Sequence, residues 1–336
     1  MRRLRAGLDY ATANNAGNRV AAISLRSRGP NLEAQLTRIG LVDLDTSHPG
    51  SFAKLYAQME GVQVAVVYDH GDVWPAGYAE SFAREHGARA AARPEEMIGQ
   101  VDGVMVLSAN WDRHLERARV FLEAGVPTFV DKPVVGRVRD GIALMEAAQR
   151  GGAALMGGSS IRYALEVRQM REQLSDLGEP LTAWGSGPSD FFNYGIHTAE
   201  MLHGALGGGI RGVRFVAENG PALFALNYDD GKVAILQLHT PGGFRLMVCG
   251  RHRSACTEVD TGRMYPELLT RFVEMVRTGQ PPSPFADSFE AVKILLAARR
   301  SRATGETVYL DDLTADEGFD GEAFVLDYGR QRRAAA

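Results

Sequence analysis

Apolar runs and helical stretches alternate along the chain from residue 38 onward. The apolar runs cover 39–42, 62–68, 103–107 and 126–130, with a last one near 153–156. Helical spacing of apolar residues lies between them, over 52–59, 78–86, 114–124 and 139–149. This alternation is typical of successive βαβ units. It predicts an α/β domain over residues 37–157, built on a doubly wound parallel sheet.

The pattern changes in the second half, where apolar runs follow one another closely and are separated by turn-forming residues. The predicted strands are 213–217, 222–228, 232–239 and 244–248. Helical spacing flanks them over 162–175, 193–205, 267–278 and 288–302. This predicts an α+β domain over 158–310 with a mostly antiparallel sheet, followed by a C-terminal tail over 311–336. Helices need to cover only one face of such a sheet, so its other face is predicted to form a homo-oligomer.

The first 36 residues differ from the rest because arginines alternate with Ala, Asn and Gly, and no apolar period persists. We expect an N-terminal extension that is disordered. Two alternatives are a helical arm that packs on a partner subunit and a transit peptide, which is also rich in Arg and poor in acidic residues.

Length and charge narrow the class of protein. A chain of 336 residues with 45% apolar content exceeds the size of a single core, which favours two domains. The net charge of -4 comes with interspersed signs, so we expect a small-molecule substrate and neither nucleic acid nor membrane as a partner. Cys249 and Cys256 form no CxxC pair, which favours reduced thiols and a cytoplasmic location. No run approaches 18 apolar residues.

A lysine stands where one predicted strand ends, in the segment Asp131-Lys132-Pro133. Only four of the 37 basic residues are lysines. Ligands bind at the carboxyl ends of parallel strands, where the Lys132 ammonium can donate a hydrogen bond to a hydroxyl or carbonyl oxygen. The alternative is a surface turn in which Lys132 only pairs with Asp131.

A histidine in the second domain is the other candidate for chemistry. Asn193 and His197 are four residues apart, so on a helix their side chains share one face within hydrogen-bond reach. An imidazole is suited to accepting an alcohol proton near neutral pH. The alternative is a helix histidine bonded to a backbone carbonyl. His203 lies about 240° around the helix from His197, so we predict no metal site there.

Three segments together resemble the Gfo/Idh/MocA family of dinucleotide-dependent oxidoreductases, which act mostly on sugars and cyclitols. Residues 108–114 resemble its loop after the fourth strand, Asp131-Lys132-Pro133 its Glu-Lys-Pro, and 193–200 its Asp-x-Gly-x-His-x-x-Asp. The resemblance covers about residues 38–310. It implies a Rossmann-type dinucleotide-binding domain, with Lys132 contacting the substrate hydroxyl near the nicotinamide, His197 accepting a proton and Asn193 as its partner.

The resemblance also implies further binding residues. Those expected at the cofactor are Asp45, Thr46, Ser47, His48, Asp69, Ser108, Asn110, His114, Asp131 and Pro133. Those expected at the substrate are Arg162, Tyr163 and Glu200, with Ser159 and Ser160 as weaker candidates.

The chain departs from the family at the phosphate-binding motif G-x-G-x-x-G, which reads here Asp43-Leu-Asp45-Thr-Ser-His48. We expect a carboxylate at Asp43 or Asp45 to repel a pyrophosphate, while the amides that begin the next helix donate to it. Asp69 ends the second strand, where an acid accepts the ribose hydroxyls and favours NAD over NADP. The alternative role for Asp69 is that of a turn residue.

A second departure is Asn193, which replaces the family's aspartate and brings no negative charge to strengthen the histidine as a base. The function predicted is hydride transfer between a nicotinamide cofactor and a sugar-like or polyhydroxylated small molecule. One alternative is a non-redox lyase, isomerase or cyclase that uses Lys132 and His197 as acid and base. Another is a catalytically silent scaffold protein.

Overall fold

The structure is a computed structural model that describes residues 36–335, so the predicted N-terminal extension lies outside it except for Leu36. The first part of the described chain alternates strands and helices. They are β1 (Thr37–Val42), α1 (His48–Tyr56), β2 (Val62–Tyr68), α2 (Tyr78–His86), β3 (Arg89–Ala90), β4 (Gly103–Val106), α3 (His114–Glu123), β5 (Thr128–Val130), α4 (Val138–Gly151) and β6 (Leu155–Gly157).

Within the described residues, these strands form one six-stranded sheet in the order β3-β2-β1-β4-β5-β6. Every neighbouring pair is parallel. All residues of β4 and β5 are buried, as expected when helices cover both faces. The strand order reverses between β1 and β4, and ligands bind at such a switch point. The predicted Rossmann-type sheet is confirmed, and we call the part built on it the first lobe.

The second part begins with a 3-10 turn at Ser160–Tyr163 and contains a larger sheet. Its helices are α5 (Leu165–Glu172), α6 (Leu174–Leu177), α7 (Gly195–Leu206), α8 (Met264–Thr278), α9 (Phe285–Thr304) and α10 (Gly321–Ala335). Its strands are β7 (Pro180–Ser186), β8 (Ile210–Glu218), β9 (Ala222–Tyr228), β10 (Val233–Leu238), β11 (Arg245–Gly250), β12 (Ser254–Glu258) and β13 (Val308–Tyr309).

In the part of the chain that is described, these seven strands pair in the order β12-β11-β7-β10-β9-β8-β13. Only the pair β7 and β10 is parallel. Burial alternates along β9 and β10, because one face of the sheet lies under α7 and α9 while the other is partly exposed. The predicted mostly antiparallel sheet is confirmed, and we call the part built on it the second lobe.

Four differences from the predicted elements matter for the site. The strand β7 was not predicted, and it lies inside the sheet because of pairing with distant β10 and β11. The helix predicted over 162–175 begins only at Leu165 and is interrupted at Gln173. The helix predicted from Asn193 begins two residues later. Helix α8 packs on the first lobe, where Phe272 joins the apolar cluster of Ile39.

The predicted tail contains α10, which returns to the carboxyl ends of the first-lobe strands. The indole Nε1 of Trp111 donates to the Phe319 carbonyl at 3.0 Å, and the ring of Phe319 stacks on that of Phe192. Farther along, the Arg333 guanidinium donates to the Val73 carbonyl at 2.8 Å. These contacts hold α10 across the strand ends. No helix among residues 36–335 has the length and apolar character needed to cross a bilayer.

Candidate active site

A cavity of about 430 Å³ lies at the switch point of the first sheet, between the two lobes. Its first-lobe wall includes Thr46, Ser47, His48, Ser108, Asp131 and Lys132. Its second-lobe wall includes Asn193, His197 and Phe244, while Tyr265 comes from α8 and Phe324 and Tyr328 from α10. The two residues predicted to do the chemistry, Lys132 and His197, therefore line the same cavity.

Lys132 crosses from the first lobe to the second. Its ammonium donates to the side-chain oxygen of Asn193 at 2.8 Å and approaches the backbone carbonyl of the same residue at 3.4 Å. Burial lowers the pKa of Lys132, although the nearby Asp131 and Asp190 carboxylates oppose that shift. The surface-turn alternative is wrong, since Lys132 is engaged across the cleft and not only with Asp131.

The expected pairing of Asn193 with His197 is wrong. Because α7 begins at Gly195, Asn193 precedes the helix and does not share its face with His197. The Nδ1 atom of His197 instead lies 2.6 Å from the hydroxyl of Ser159. Burial, together with the charge of Lys132, holds the pKa of His197 well below its ordinary value, so its imidazole is neutral at pH 7.

His48 is the second imidazole of the cavity wall, and it has a carboxylate partner. Its Nδ1 atom lies 2.5 Å from Oδ2 of Asp131. The ring stacks on Phe52 with centroids 5.3 Å apart and meets the ring of Tyr265 edge-on. Burial alone would raise the pKa of Asp131, but its hydrogen bond with His48 and the charge of Lys132 hold it below its ordinary value. The Asp131 side chain is therefore an anion.

Asp43, which replaces the first glycine of the phosphate-binding motif, faces the protein interior. Its backbone keeps the left-handed conformation (φ 66°) that glycine adopts most easily. Its buried carboxylate accepts hydrogen bonds from Arg117 at 2.7 Å, from the ring of His70 at 2.6 Å and from the Ser108 hydroxyl. Burial would raise the pKa of Asp43, but His70 and Arg117 lower it to about 2.

The expected repulsion of a pyrophosphate by Asp43 is therefore wrong, because Arg117 balances its charge inside the lobe. The same expectation is wrong for Asp45, which accepts a hydrogen bond from the backbone amide of Ala109 at 2.8 Å. Burial and the neighbouring Asp43 raise the pKa of Asp45 to about 8, so its side chain is mainly a neutral acid at pH 7.

The other residues expected at a cofactor divide into two groups. Thr46 and Ser47 line the cavity, and Asp69 follows β2 at the same edge of the sheet, where its carboxylate accepts from the Gly71 amide at 3.3 Å. Asn110 and His114 support the loop instead. Asn110 accepts from the Asp112 amide and donates to Glu322, while the two ring nitrogens of His114 each lie 3.1 Å from a backbone carbonyl.

His114 is wholly buried, and its nitrogens face the carbonyls of Ser108 and Val134, so it has no atom left for a ligand. The expectation that His114 binds the cofactor is wrong for this reason. Asn110 and Pro133 are also buried, and neither lines the cavity. The expectation that Asn110 and Pro133 bind the cofactor stays a prediction.

The residues expected at the substrate lie elsewhere. Arg162 pairs with the buried carboxylate of Glu200 and lies 3.0 Å from Nδ1 of His203. Arg162 and Tyr163 line a separate cavity of about 780 Å³. Glu200 does not line the 430 Å³ cavity, and its carboxylate balances the Arg162 charge. The prediction that these three residues contact a substrate beside Lys132 is therefore wrong.

The sequence analysis missed the contribution of α10. Phe324 and Tyr328 line the cavity, and Val325 packs with Val73 and Ala109 in one apolar cluster. The sequence of the predicted tail over 311–336 does not indicate which part of the protein the tail packs against. The spacing of Phe324 and Tyr328 at i and i+4 does indicate one helical face, but not its partner.

Comparisons with known proteins agree with this architecture. Residues 50–159 match the family described as "Oxidoreductase family, NAD-binding Rossmann fold". The chain is 29% identical to inositol 2-dehydrogenase 3 of Saccharopolyspora erythraea over 150 residues. These residues make up 44% of this chain and 43% of that protein. The chain thus matches less than half the length of that curated relative.

Solved structures match over a longer span. A probable dehydrogenase from Thermotoga maritima superposes with a TM-score of 0.73 at 18% identity, covering 82% of this chain and 100% of that one. Scyllo-inositol dehydrogenase from Lactobacillus casei, with bound NAD(H) and scyllo-inositol, superposes with a TM-score of 0.72 at 14% identity, covering 83% and 100%. At these identities, the structures show a shared fold.

The fold and the cavity define a two-lobed protein with a Rossmann-type sheet and a ligand site at its strand ends. Its first lobe carries the family match. The first lobe is therefore similar to the Gfo/Idh/MocA oxidoreductase family, whose model matches residues 50–159.

Proposed function

We propose that this protein is an NAD-dependent oxidoreductase that transfers hydride between the nicotinamide and a polyhydroxylated, sugar-like small molecule. The observation that carries the proposal is the meeting of Lys132 and His197, from two lobes, in one cavity at the strand-order switch. The inositol dehydrogenases among the relatives and structural neighbours support a polyol as substrate.

The residues of the first lobe fit a dinucleotide. Asp69 ends β2 where a ribose hydroxyl donor would lie, and no arginine follows it directly to meet a 2′-phosphate. The hydroxyl groups of Thr46 and Ser47 can donate to a pyrophosphate from the cavity wall, whereas the first amide of α1 donates to Thr46 Oγ1 at 3.1 Å and Pro49 has no N–H. Because Arg117 balances the charge of Asp43 and the side chain of Asp45 is mainly neutral, neither residue is expected to repel a pyrophosphate.

When bound, the nicotinamide supplies the hydride acceptor or donor. Lys132 then donates a hydrogen bond to the reacting oxygen and stabilises the negative charge that develops on it. His197 contacts the same oxygen or its neighbouring hydroxyl from the second lobe. Phe244, Phe324 and Tyr328 narrow the cavity and exclude water from the reacting carbon.

Two titrations and one assay test this proposal. We expect the purified protein to bind NADH more tightly than NADPH, with Asp69→Ala weakening NADH binding by about tenfold, the loss of roughly one good hydrogen bond. Oxidation of inositols and related polyols, followed as NADH absorbance, should be seen with the native protein. Binding of neither nucleotide, or turnover of polyols without either, would contradict the proposal and favour the non-redox alternative.

We also propose that the protein is cytoplasmic and forms a homo-oligomer through the second-lobe sheet. Both cysteines are free thiols, which supports a reducing compartment. On the partly exposed face of the sheet, Ile235 is in register with Trp184, and Trp184 with Met247, which makes an apolar row. Light scattering should detect an oligomer that Ile235→Asp converts to monomers; a monomeric native protein would contradict this.

A further inference from the structure

Among the residues described, two histidines line the cavity, and they differ in the side chain that each one contacts. His197 has a hydroxyl partner, Ser159, and faces the Lys132 ammonium. His48 has a carboxylate partner, Asp131. A base that accepts a proton becomes a cation, so a nearby carboxylate favours proton transfer to it and a nearby ammonium opposes this transfer.

The hydrogen bond between His48 and Asp131 also decides which ring nitrogen is free. The Asp131 carboxylate accepts from the Lys132 backbone amide through Oδ1, and its Oδ2 faces Nδ1 of His48 at 2.5 Å. Because an ionised carboxylate can only accept, the proton of the neutral ring is on Nδ1. The lone pair of Nε2 is then available to accept a proton.

The ring of His48 is held in place by its neighbours. It stacks on Phe52 at an interplanar angle of 12° and meets Tyr265 edge-on. Its side chain is 15% exposed, and it lines the cavity with Lys132. The charged or titratable groups that line the cavity with it are Asp131 and Lys132 after β5, Tyr194 before α7, His197 of α7, Tyr265 of α8 and Tyr328 of α10. Within the described residues of that wall, Asp131 is the carboxylate in contact with an imidazole.

We propose that His48 is the proton acceptor of the reaction and that Asp131 is its positioning residue. This rests on the proposed function and deepens it. In alcohol oxidation, the O–H bond of the substrate breaks and its proton moves to Nε2 of His48. The electron pair of that bond forms the carbonyl, and the hydride of the same carbon leaves to the oxidised nicotinamide dinucleotide. Lys132 stabilises the oxygen, and His197 orients the substrate as a neutral hydrogen-bonding group.

The kinetic test compares His48→Gln with His197→Gln in polyol oxidation over a range of pH. We expect His48→Gln to lower kcat/KM by about 10²- to 10⁴-fold, the usual contribution of a positioned base, and to remove the acidic limb of the pH profile. His197→Gln should retain that limb. The control is His86→Gln, which alters a histidine beside Glu85 on α2. It should change neither kcat/KM nor the acidic limb of the pH profile. Loss of the limb in His197→Gln and its retention in His48→Gln would overturn the proposal.

A second measurement needs neither cofactor nor substrate. Long-range ¹H–¹⁵N NMR of the ring should find the Nδ1–H tautomer of His48 in the native protein, and Asp131→Asn should reduce its population. The Nε2–H tautomer in the native protein would overturn the assignment of the acceptor atom. Because this result does not depend on turnover, a protein with the Nδ1–H tautomer that oxidises no polyol contradicts the proposed function alone.

Discussion

The two walls of the cavity differ in how they hold charge. The first-lobe wall carries anions: the Asp131 carboxylate accepts a hydrogen bond from His48, and behind it Asp43 is paired with Arg117. The second-lobe wall is formed by neutral groups, the Asn193 amide and the His197 imidazole. The comparison teaches that one cavity can join a charged wall to a neutral one, which gives its two histidines different partners. Changes on either wall test this.

The largest effect is expected at the link between the walls. Lys132→Met removes the ammonium that bridges to Asn193, and we expect kcat/KM for polyol oxidation to fall by about 10²- to 10⁴-fold. Circular dichroism and NADH titration should show a retained fold and cofactor affinity. Lys293→Met on α9 is the matched control and should remain active. A loss below about tenfold in Lys132→Met would show that the bridge has no role in the chemistry.

The next effect concerns stability of the first-lobe wall. Arg117→Met leaves the Asp43 carboxylate buried without its ion pair, so we expect the free energy of unfolding to fall by about 3–5 kcal/mol. Urea denaturation measures this. Arg119→Met, two residues away on the same helix, breaks only an exposed contact with Glu123 and should cost less than about 1 kcal/mol. If both variants lose the same free energy of unfolding, the buried Arg117–Asp43 ion pair contributes no more to stability than the exposed contact.

A pH dependence follows from Asp45. Its pKa is raised from 3.8 to about 8, so between these values the folded protein holds a proton that the unfolded chain has released. Stability therefore declines as pH rises through this window, by at most about 1.4 kcal/mol per pH unit from this group. Asp45→Asn should flatten that slope in urea denaturation at pH 5, 6.5 and 8. An unchanged slope would mean that Asp45 is ionised in the folded protein.

The smallest effect is expected when charge is added to the neutral wall. In Asn193→Asp, the new carboxylate faces the Lys132 ammonium, which should raise the pKa of Lys132 and move the alkaline limb of the kcat/KM profile upward by about one unit. Asn219→Asp, in the turn before β9, serves as control. A shift of the acidic limb alone would show that residue 193 acts on an imidazole, as the sequence motif first suggested.

Much of the fold could be predicted from the sequence because it depends on local patterns. The alternation of apolar runs and helical stretches predicted the parallel sheet, and the close spacing of strands predicted the antiparallel one. The bounds of β2, α2 and β9 were predicted to the residue. The strand β7 was missed because Pro180 and Gly185 weaken its strand signal, and its place depends on pairing with distant strands.

The site was predicted less completely, because partners of side chains are chosen in space. The strand-end position of Lys132 and the helical spacing around His197 singled out these two residues, and the structure brings both to one cavity. Spacing also paired Asn193 with His197, but Asn193 binds Lys132, 61 positions away in sequence. In the same way, the negative charge of Asp43 is cancelled by Arg117, which is 74 positions away.

The sequence by itself determined the class of fold, the family motifs and the residue types available at the strand ends. Only the tertiary structure decided which carboxylate meets which cation, and that α10 adds Phe324 and Tyr328 to the cavity. The physical reason is the range of the interactions. Periodicity records which face of an element is buried, whereas a hydrogen bond or an ion pair depends on a distance of about 3 Å between groups that the chain order keeps far apart.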